Sequence, residues 1–497
     1  MKSSAALSSL PAEDLTPADT CENYPLVLAL DGTLLRTDLL LEAALQFAKK
    51  SPHTAFLLIW WAIKGIAHLK HQLAQRTNLA VELLPVNEAL VSYAREAADS
   101  GRTVVAATAA NIELAGKVCS RFTFIDEVIA SCEKTNLKGS RKAEALNARF
   151  PDGFAYAGDT HADLAVWRSA RFGVYAGRGR DSRLLGRLAE VTSLEADFST
   201  RQATLRDWMR ALRLHQWAKN GLLFLPVLLA GAMFDPTRWL ACIAAFVAMG
   251  LTASGTYLIN DLLDLDADRQ HWTKRNRPFA AGLIGIPQGI MASGGLLIAG
   301  VTIAAVSGGL PVVGLLLLYC AVTLGYSLHL KRVPVLDVTI LASLFTLRLV
   351  LGAAAADVPI SSWLLVFSMF LFLSLALAKR STEIGRKSAN PAASHGRGYV
   401  AADAMLVAGL GVSAAVAAIH VLVLYLIHEA FSNTLYGLPQ LLWAAPVFIG
   451  LWLGRVWLLC GRGILNDDPV VFAVSDKISI VLGAGVFASF AGAALIG

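Results

Sequence analysis

From about residue 220 to its end this chain repeats apolar runs of roughly 20 residues, the length of helix that matches the ~30 Å hydrocarbon core of a bilayer. The runs fall at about 220–234, 239–259, 286–308, 311–330, 336–356, 361–378, 403–428, 438–458 and 478–496, which predicts about nine spans. Residues 1 to about 200 instead mix charge with apolar alternation, as a water-facing domain does. Over all 497 residues, 55% are hydrophobic and 16% charged, too apolar a balance for an ordinary soluble protein. The expected architecture is a soluble domain followed by an all-α membrane domain.

The formal net charge of +6 does not point to nucleic acid, because the basic residues collect in short loops between apolar runs and no nucleic-acid motif accompanies them. Threading the spans from an N-terminus inside puts Arg269, Lys274, Arg275, Arg277, Lys331, Arg332, Lys379, Arg380, Arg386, Lys387, Arg397, Arg455, Arg462 and Lys477 on one side. The other side holds little beyond Arg238. That asymmetry predicts a cytoplasmic N-terminal domain and a cytoplasmic polar face. The first 24 residues are polar, with no apolar core before a small-residue cleavage site, and are expected to be a disordered lead rather than a secretory signal. The six cysteines form no C-x-x-C pair, which fits neither a zinc set nor a disulfide framework and suits a reducing compartment.

Directly after the apolar stretch 239–259 comes NDLLDLDAD, Asn260 to Asp268. Four carboxylates and an amide at a membrane edge need a cation, and hard oxygen ligands suit Mg²⁺, which prefers a few carboxylates plus substrate phosphate oxygens. If the helix continues, Asn260, Asp264 and Asp268 share one stripe with Asp261 beside them, a platform for a diphosphate. The same face is expected to receive Lys274, Arg277 and Pro278, then Tyr326, Lys331, Arg332 and Asp337, then Lys379, Arg380 and Glu383. Acids holding Mg²⁺ opposite fixed cations suit departure of a diphosphate, where negative charge concentrates. The plainer reading of any single Lys or Arg is topology.

Arg348, some 16 Å further along its helix than Asp337, is deep enough in a span to need a partner, and is a candidate to meet a lipid phosphate or line the donor cavity, or for a structural ion pair or bonds to backbone carbonyls. Trp217 reads as an interface anchor, and Arg213 and Lys219 as topological or substrate-binding. Asp467, Asp468 and Asp476 read as a solvated loop. Ala55–Leu69 is apolar but short and interrupted by Lys64; packing in a helical cap is preferred over a membrane-surface helix, although Trp60 and Trp61 suit either.

Residues from about 206 onward resemble the UbiA superfamily of intramembrane prenyltransferases, on NDLLDLDAD as its N-D-x-x-D-x-x-x-D signature and on the span count. The resemblance implies Mg²⁺ and donor-diphosphate binding by Asn260, Asp261, Asp264 and Asp268. A second Asp-rich run, usual in members with aromatic acceptors, is replaced by Lys379, Arg380 and Glu383. RLHQWAKN at Arg213 to Asn220, the Tyr326, Lys331 and Asp337 set, and KRSTE from Lys379 are similar to decaprenyl-phosphate phosphoribosyltransferases. That subgroup implies phosphoribosyl diphosphate and a polyprenyl phosphate as partners, with Lys331, Lys379 and Arg380 on phosphate groups. The alternatives are prenyl transfer from a polyprenyl diphosphate to an aromatic acceptor such as 4-hydroxybenzoate and, ranked lower because the polar residues fall on one side and no internal repeat is found, a lipid or anion transporter. A bacterial-type inner membrane follows from the resemblance, and a homo-oligomer is left open.

YPLVLALDGTLL, Thr108 after an apolar run, Lys142 in SRKAEAL and Asp159 with Asp163 in YAGDTHADLAV resemble, in that order, the haloacid dehalogenase superfamily of Mg²⁺-dependent phosphatases. This implies an α/β, Rossmann-like domain over 25–184, a linker or interfacial segment over 185–212 and the UbiA-like domain over 213–497. The first motif departs from D-x-D-G-T: Ala29 stands where the family has its nucleophile, two residues before Asp31. A methyl group cannot attack phosphorus, so the domain is expected to be catalytically degenerate.

Overall fold

A computed structural model describes residues 21–232, 234–389, 398–432, 435–465, 472 and 476–495, side chains of 386–389 excepted. Most of the expected polar lead 1–24, with Arg397, Asp467 and Asp468, lies outside the described residues, as do the side chains of Arg386 and Lys387. The described chain divides into two compact units: residues up to Ala211 together with Asp261–Ile290, and Leu212–Asn260 together with Met291 onward.

In the first unit, apolar runs bounded by turn residues form a six-stranded parallel sheet: β1 (Leu26–Leu28), β2 (Val104–Asn111), β3 (Glu127–Ser131), β4 (Ala155–Gly158), β5 (Phe172–Tyr175) and β6 (Ser193–Asp197). The order is β3-β2-β1-β4-β5-β6. Leu26 is in register with Val104 on one side and with Ala155 on the other. Both faces of such a sheet are covered, so its central strands are continuously buried rather than alternating. The connecting helices are α1 (Leu39–Lys50), α2 (Leu57–Lys64), α3 (Ile66–Arg76), α4 (Glu88–Asp99), α5 (Ile112–Cys119), α6 (Ser140–Arg149), α7 (Leu164–Trp167) and α8 (Ser182–Val191). Chain order reverses between β1 and β4, the position where doubly wound sheets open a crevice beyond their strand ends.

The expected linker 185–212 is largely ordered structure, since it contains the end of α8, all of β6 and α9 (Leu205–Ala211). As the edge strand β6 is mostly exposed and carries Glu195 and Asp197, so it lacks the apolar signature of its neighbours. A buried ion pair holds it: Glu195 accepts from the Arg102 guanidinium at 2.6 Å and also takes the Tyr93 hydroxyl.

The remaining helices are α10 (Leu225–Leu229), α11 (Pro236–Leu263), α12 (Leu265–Gln270), α13 (Ile286–Leu328), α14 (Leu336–Ala356), α15 (Ser362–Ala389), α16 (Ala404–Tyr425), α17 (Ala444–Gly461) and α18 (Lys477–Leu495). Among the described residues, 7 helices are long and apolar enough to cross a membrane, not nine. Two local causes account for the difference. The segment 220–234 forms a 3₁₀ stretch, Leu214–Phe224, running into the single-turn α10. The segments 286–308 and 311–330 are two helices, as expected, that join across a kink at Gly309 and so count as one 43-residue element; the φ of 64° and ψ of −162° there, just before Pro311, are open to glycine alone. Trp217 packs its ring on Gly250 of α11 and donates to Ser254 Oγ at 3.0 Å, so it is part of helix packing rather than only an anchor.

Candidate active site

The acid run belongs to the first unit and does not form one continuous stripe. The helix ends at Leu263, and Asp264 (φ −99°, ψ 13°) stands at the head of α12. This break turns the carboxylates to different partners. Asp261 Oδ1 and Asp268 Oδ2 lie 3.0 and 2.7 Å from the same guanidinium nitrogen, Nη1 of Arg277. Asp264 takes the Lys49 ammonium at 2.7 Å. Burial pushes the Asp268 carboxyl up, and Arg277 opposes that shift. Asn260 closes the second unit's share of α11, and Lys274 begins the 3₁₀ turn Lys274–Asn276.

The first unit supplies supports that the sequence did not disclose. Glu42 of α1 accepts a forked pair from Arg269 of α12, at 2.6 and 3.2 Å, with both side chains buried. Thr37 donates to Glu42 at 2.5 Å, and Arg269 Nε donates to the Ala280 carbonyl at 3.3 Å. Gln46 donates to Asp266 at 3.1 Å. Helix α1 therefore meets the run at two points, from Gln46 and Lys49, and the arginine that follows it from Glu42. The signals were an acid inside the apolar stretch LLLEAALQF and a Lys pair at its end; neither names a partner more than 200 residues away.

Among the described residues, no three His, Cys, Asp or Glu side chains gather as a metal site. The donor set nevertheless fits Mg²⁺. Two carboxylates already converge on one cationic nitrogen, and this ion needs one or two carboxylates beside substrate oxygens. Asp261 and Asp268 would hold the ion in place of their shared contact with Arg277, while Asp264 pairs with Lys49.

In the second unit, Asp337, near the start of α14, and Arg380, inside α15, are fully buried and 3.0 Å apart. Tyr399 completes the group: its hydroxyl donates to Asp337 at 2.6 Å and accepts from the Val335 amide at 2.8 Å. Burial and the Asp337 carboxylate push the Tyr399 phenol up to about 12, so it remains a donor at neutral pH. Glu383 pairs with Arg380 one turn away. The structure thus gathers three predicted residues, Asp337, Arg380 and Glu383, and adds Tyr399, which no sequence spacing tied to them. Lys379 precedes Arg380 on α15, Tyr326 lies near the end of α13, and Lys331 lies in the 3₁₀ turn Leu330–Arg332.

Arg348 is buried in α14 and bonded to Asn220 Oδ1 at 3.0 Å, the Leu344 carbonyl at 2.6 Å and Tyr319 Oη at 3.4 Å. That is the structural pairing weighed for an intramembrane arginine. The Lys219 ammonium lies over the Phe345 ring at 5.7 Å. Asp476 caps α18 through the Ser479 amide at 2.9 Å and pairs with Arg455 at 3.0 Å, which removes it from the expected solvated loop.

The first unit also holds a cavity of about 1230 Å³ at the β1–β4 reversal, lined by Ala29, Asp31, Thr108, Lys142, Asp159 and Asp163 among others. Thr33 donates to Asp159 at 2.9 Å, Thr108 to Asp31 at 3.4 Å, and Lys142 to the Tyr156 hydroxyl at 2.8 Å. Tyr156 in turn donates to Asp163 at 2.7 Å. Gly32 (φ +77°) passes so close that any side chain there would meet the Asp159 carboxylate. Burial, then Asp38, pushes Asp31 up to about 6; burial, then Asp163, pushes Asp159 up to about 7.

Among the described residues, 7 membrane-length helices, with an acid run closing the first of them, describe a polytopic α-helical membrane protein. The profile of the UbiA prenyltransferase family matches residues 222–473, half of the sequence, and the chain belongs to that family. It is 39% identical over 478 residues to the uncharacterized protein y4nM of Sinorhizobium fredii, covering 94% of this chain and 90% of that one. It is 34% identical over 290 residues to the nodulation protein NoeC of Azorhizobium caulinodans, covering 55% of this chain and 89% of the relative. It is 37% identical over 180 residues to the decaprenyl-phosphate phosphoribosyltransferase of Corynebacterium glutamicum, covering 35% of this chain and 54% of the relative.

Proposed function

We propose that this family member transfers phosphoribose from phosphoribosyl diphosphate to a polyprenyl phosphate, with release of diphosphate. The observation that carries the reading is what stands where a second acid run would hold another metal: Arg380 with Asp337, Glu383 and Tyr399, a cation-centred cluster beside Lys379. The similarity to a decaprenyl-phosphate phosphoribosyltransferase supports it over the part of the chain that the match covers. A donor with a diphosphate and a 5-phosphate, and a lipid with a third phosphate, calls for one acid site and several cations.

An oxygen of the lipid phosphate attacks the anomeric carbon, and the bond from that carbon to the diphosphate oxygen breaks, the diphosphate leaving with the electron pair. The acceptor is already ionised near neutral pH, so no base is required. Asp261 and Asp268 would hold Mg²⁺, and the ion, when bound, would neutralise charge on the departing group. Lys331, Lys379 and Arg380 are assigned to phosphate groups, with Asn260, Lys219, Lys274, Arg277, Tyr326 and Arg348 in supporting positions. The site faces the cytoplasm, following the basic-loop asymmetry. The first unit is a degenerate phosphatase-like domain, with Ala29 where a nucleophile would stand beside Asp31, Thr108, Lys142, Asp159 and Asp163.

The test offers purified protein and Mg²⁺ two pairs of substrates: phosphoribosyl diphosphate with polyprenyl phosphate, and polyprenyl diphosphate with 4-hydroxybenzoate. Mass spectrometry of the lipid products is expected to show polyprenyl phosphoribose only, and to lose it in Asp261→Asn and Asp268→Asn proteins that stay folded in detergent. A prenylated aromatic would replace this reading with the other activity, and full turnover by both variants would end the acid-run assignment.

A further inference from the structure

Helix α2 has two apolar faces and only one is packed. Trp61 is buried against Phe47 of α1, ring centroids 5.2 Å apart, with the Arg76 guanidinium over its other side. The opposite stripe is Phe56, Ile59, Trp60 and Ile63, at i, i+3, i+4 and i+7, extended by Ile66; Ile63 is 75% exposed and Trp60 54%. A contiguous apolar stripe of this kind marks an interaction surface.

We propose that this stripe lies in the headgroup and acyl boundary of the bilayer that the chain's own helices cross. Three observations select lipid over a protein partner. The first is charge: between Glu42 and Glu82 the sequence has Lys49, Lys50, Lys64, Lys70 and Arg76 and no acid, the balance that anionic headgroups attract. The second is the Lys64 ammonium, held 5.3 Å over the Trp60 ring, which pairs an apolar body with a charged tip as interfacial residues do. The third is continuity. Lys49, at the end of the helix preceding the stripe, bonds Asp264, which follows directly on the last residue of the membrane-length helix α11. From Lys49 to Phe56 even a fully extended chain reaches only about 25 Å. The stripe therefore starts near a membrane exit, and Trp272, which follows the acid run and is 74% exposed, is a second tryptophan in that segment.

The test uses the full-length protein and its Trp60→Phe variant in nanodiscs of phosphatidylcholine and phosphatidylglycerol, with and without brominated acyl chains. The wild-type minus variant emission reports Trp60 alone. It is expected to fall by about twofold or more when the lipids are brominated and to resist acrylamide in the aqueous phase. Emission quenched by acrylamide and not by bromine would place the stripe in water. Emission quenched by neither would place it under protein, a second copy included. Either of those results overturns the proposal.

Discussion

Asp159 shows at a single residue what burial without a full set of donors does. One oxygen accepts from Thr33, the neighbouring Asp163 repels the charge, and the carboxyl is pushed up to about 7 from 3.8. A carboxyl raised on folding contributes stability that is complete below its unfolded value and is lost as pH rises through the folded one. The loss runs here from about pH 4 to about 7, and is on the order of a few kcal/mol at about 1.4 kcal/mol per pH unit. Asp31 adds a smaller change in the same direction. Denaturant midpoints of the purified protein between pH 4.5 and 7.5 are expected to decline, and Asp159→Asn to flatten most of that decline. A variant with the wild-type slope would show that Asp159 does not titrate in this range. The residues around this cavity come from separate elements, Ala29 and Asp31 just after β1, Thr108 within β2, Lys142 in α6 and Asp159 just after β4, in the order the sequence presents them. Tyr399 was not legible, because its bond to Asp337 spans 62 positions and a lone Tyr in a loop has no periodicity to betray it.

At the scale of elements, the spans were legible wherever a helix is long and also at the Gly309 kink, where the reading divides 286–308 from 311–330, and failed at the 3₁₀ stretch before α10. The acid run was legible as a cluster, but its stripe was not, because the helix breaks at Asp264. Directly after the run, α1 meets α12 through the buried pair of Glu42 and Arg269. Removing one member of a buried pair leaves the other charge uncompensated and costs about 3–5 kcal/mol. Glu42→Ala and Arg269→Ala are each expected to destabilise the first unit by that order and to lower transferase turnover. The double variant should cost clearly less than the sum of the two. Additive losses in a double-mutant cycle would mean that the pair does not act as a unit.

At the scale of the whole molecule, sequence composition separates a soluble part from a membrane part, while contacts draw the border elsewhere. The 30 residues Asp261–Ile290 cluster with the sheet-bearing unit although they lie between two membrane-length helices. Composition could not show this, since it depends on ion pairs between α1 and α12 rather than on any local pattern. The N-terminal unit and the acid-run segment thus share ion pairs, Lys49 with Asp264 and Glu42 with Arg269. NoeC matches 55% of this chain with 89% of its own length, so a family relative can be much shorter than this protein, and any dependence of transfer on the N-terminal unit has to arise from residues such as Glu42, Gln46 and Lys49. Deleting the chain up to residue 203 is expected to leave a helical, monodisperse membrane protein whose diphosphate release falls by about tenfold or more, equivalent to at least about 1.4 kcal/mol of transition-state stabilisation. Substitution of Glu42 in the full chain should move turnover in the same direction, which separates loss of support for the acid run from general damage by truncation. Undiminished turnover by the truncated protein would make the first unit an appendage, and its contacts with the run would then serve only to dock it.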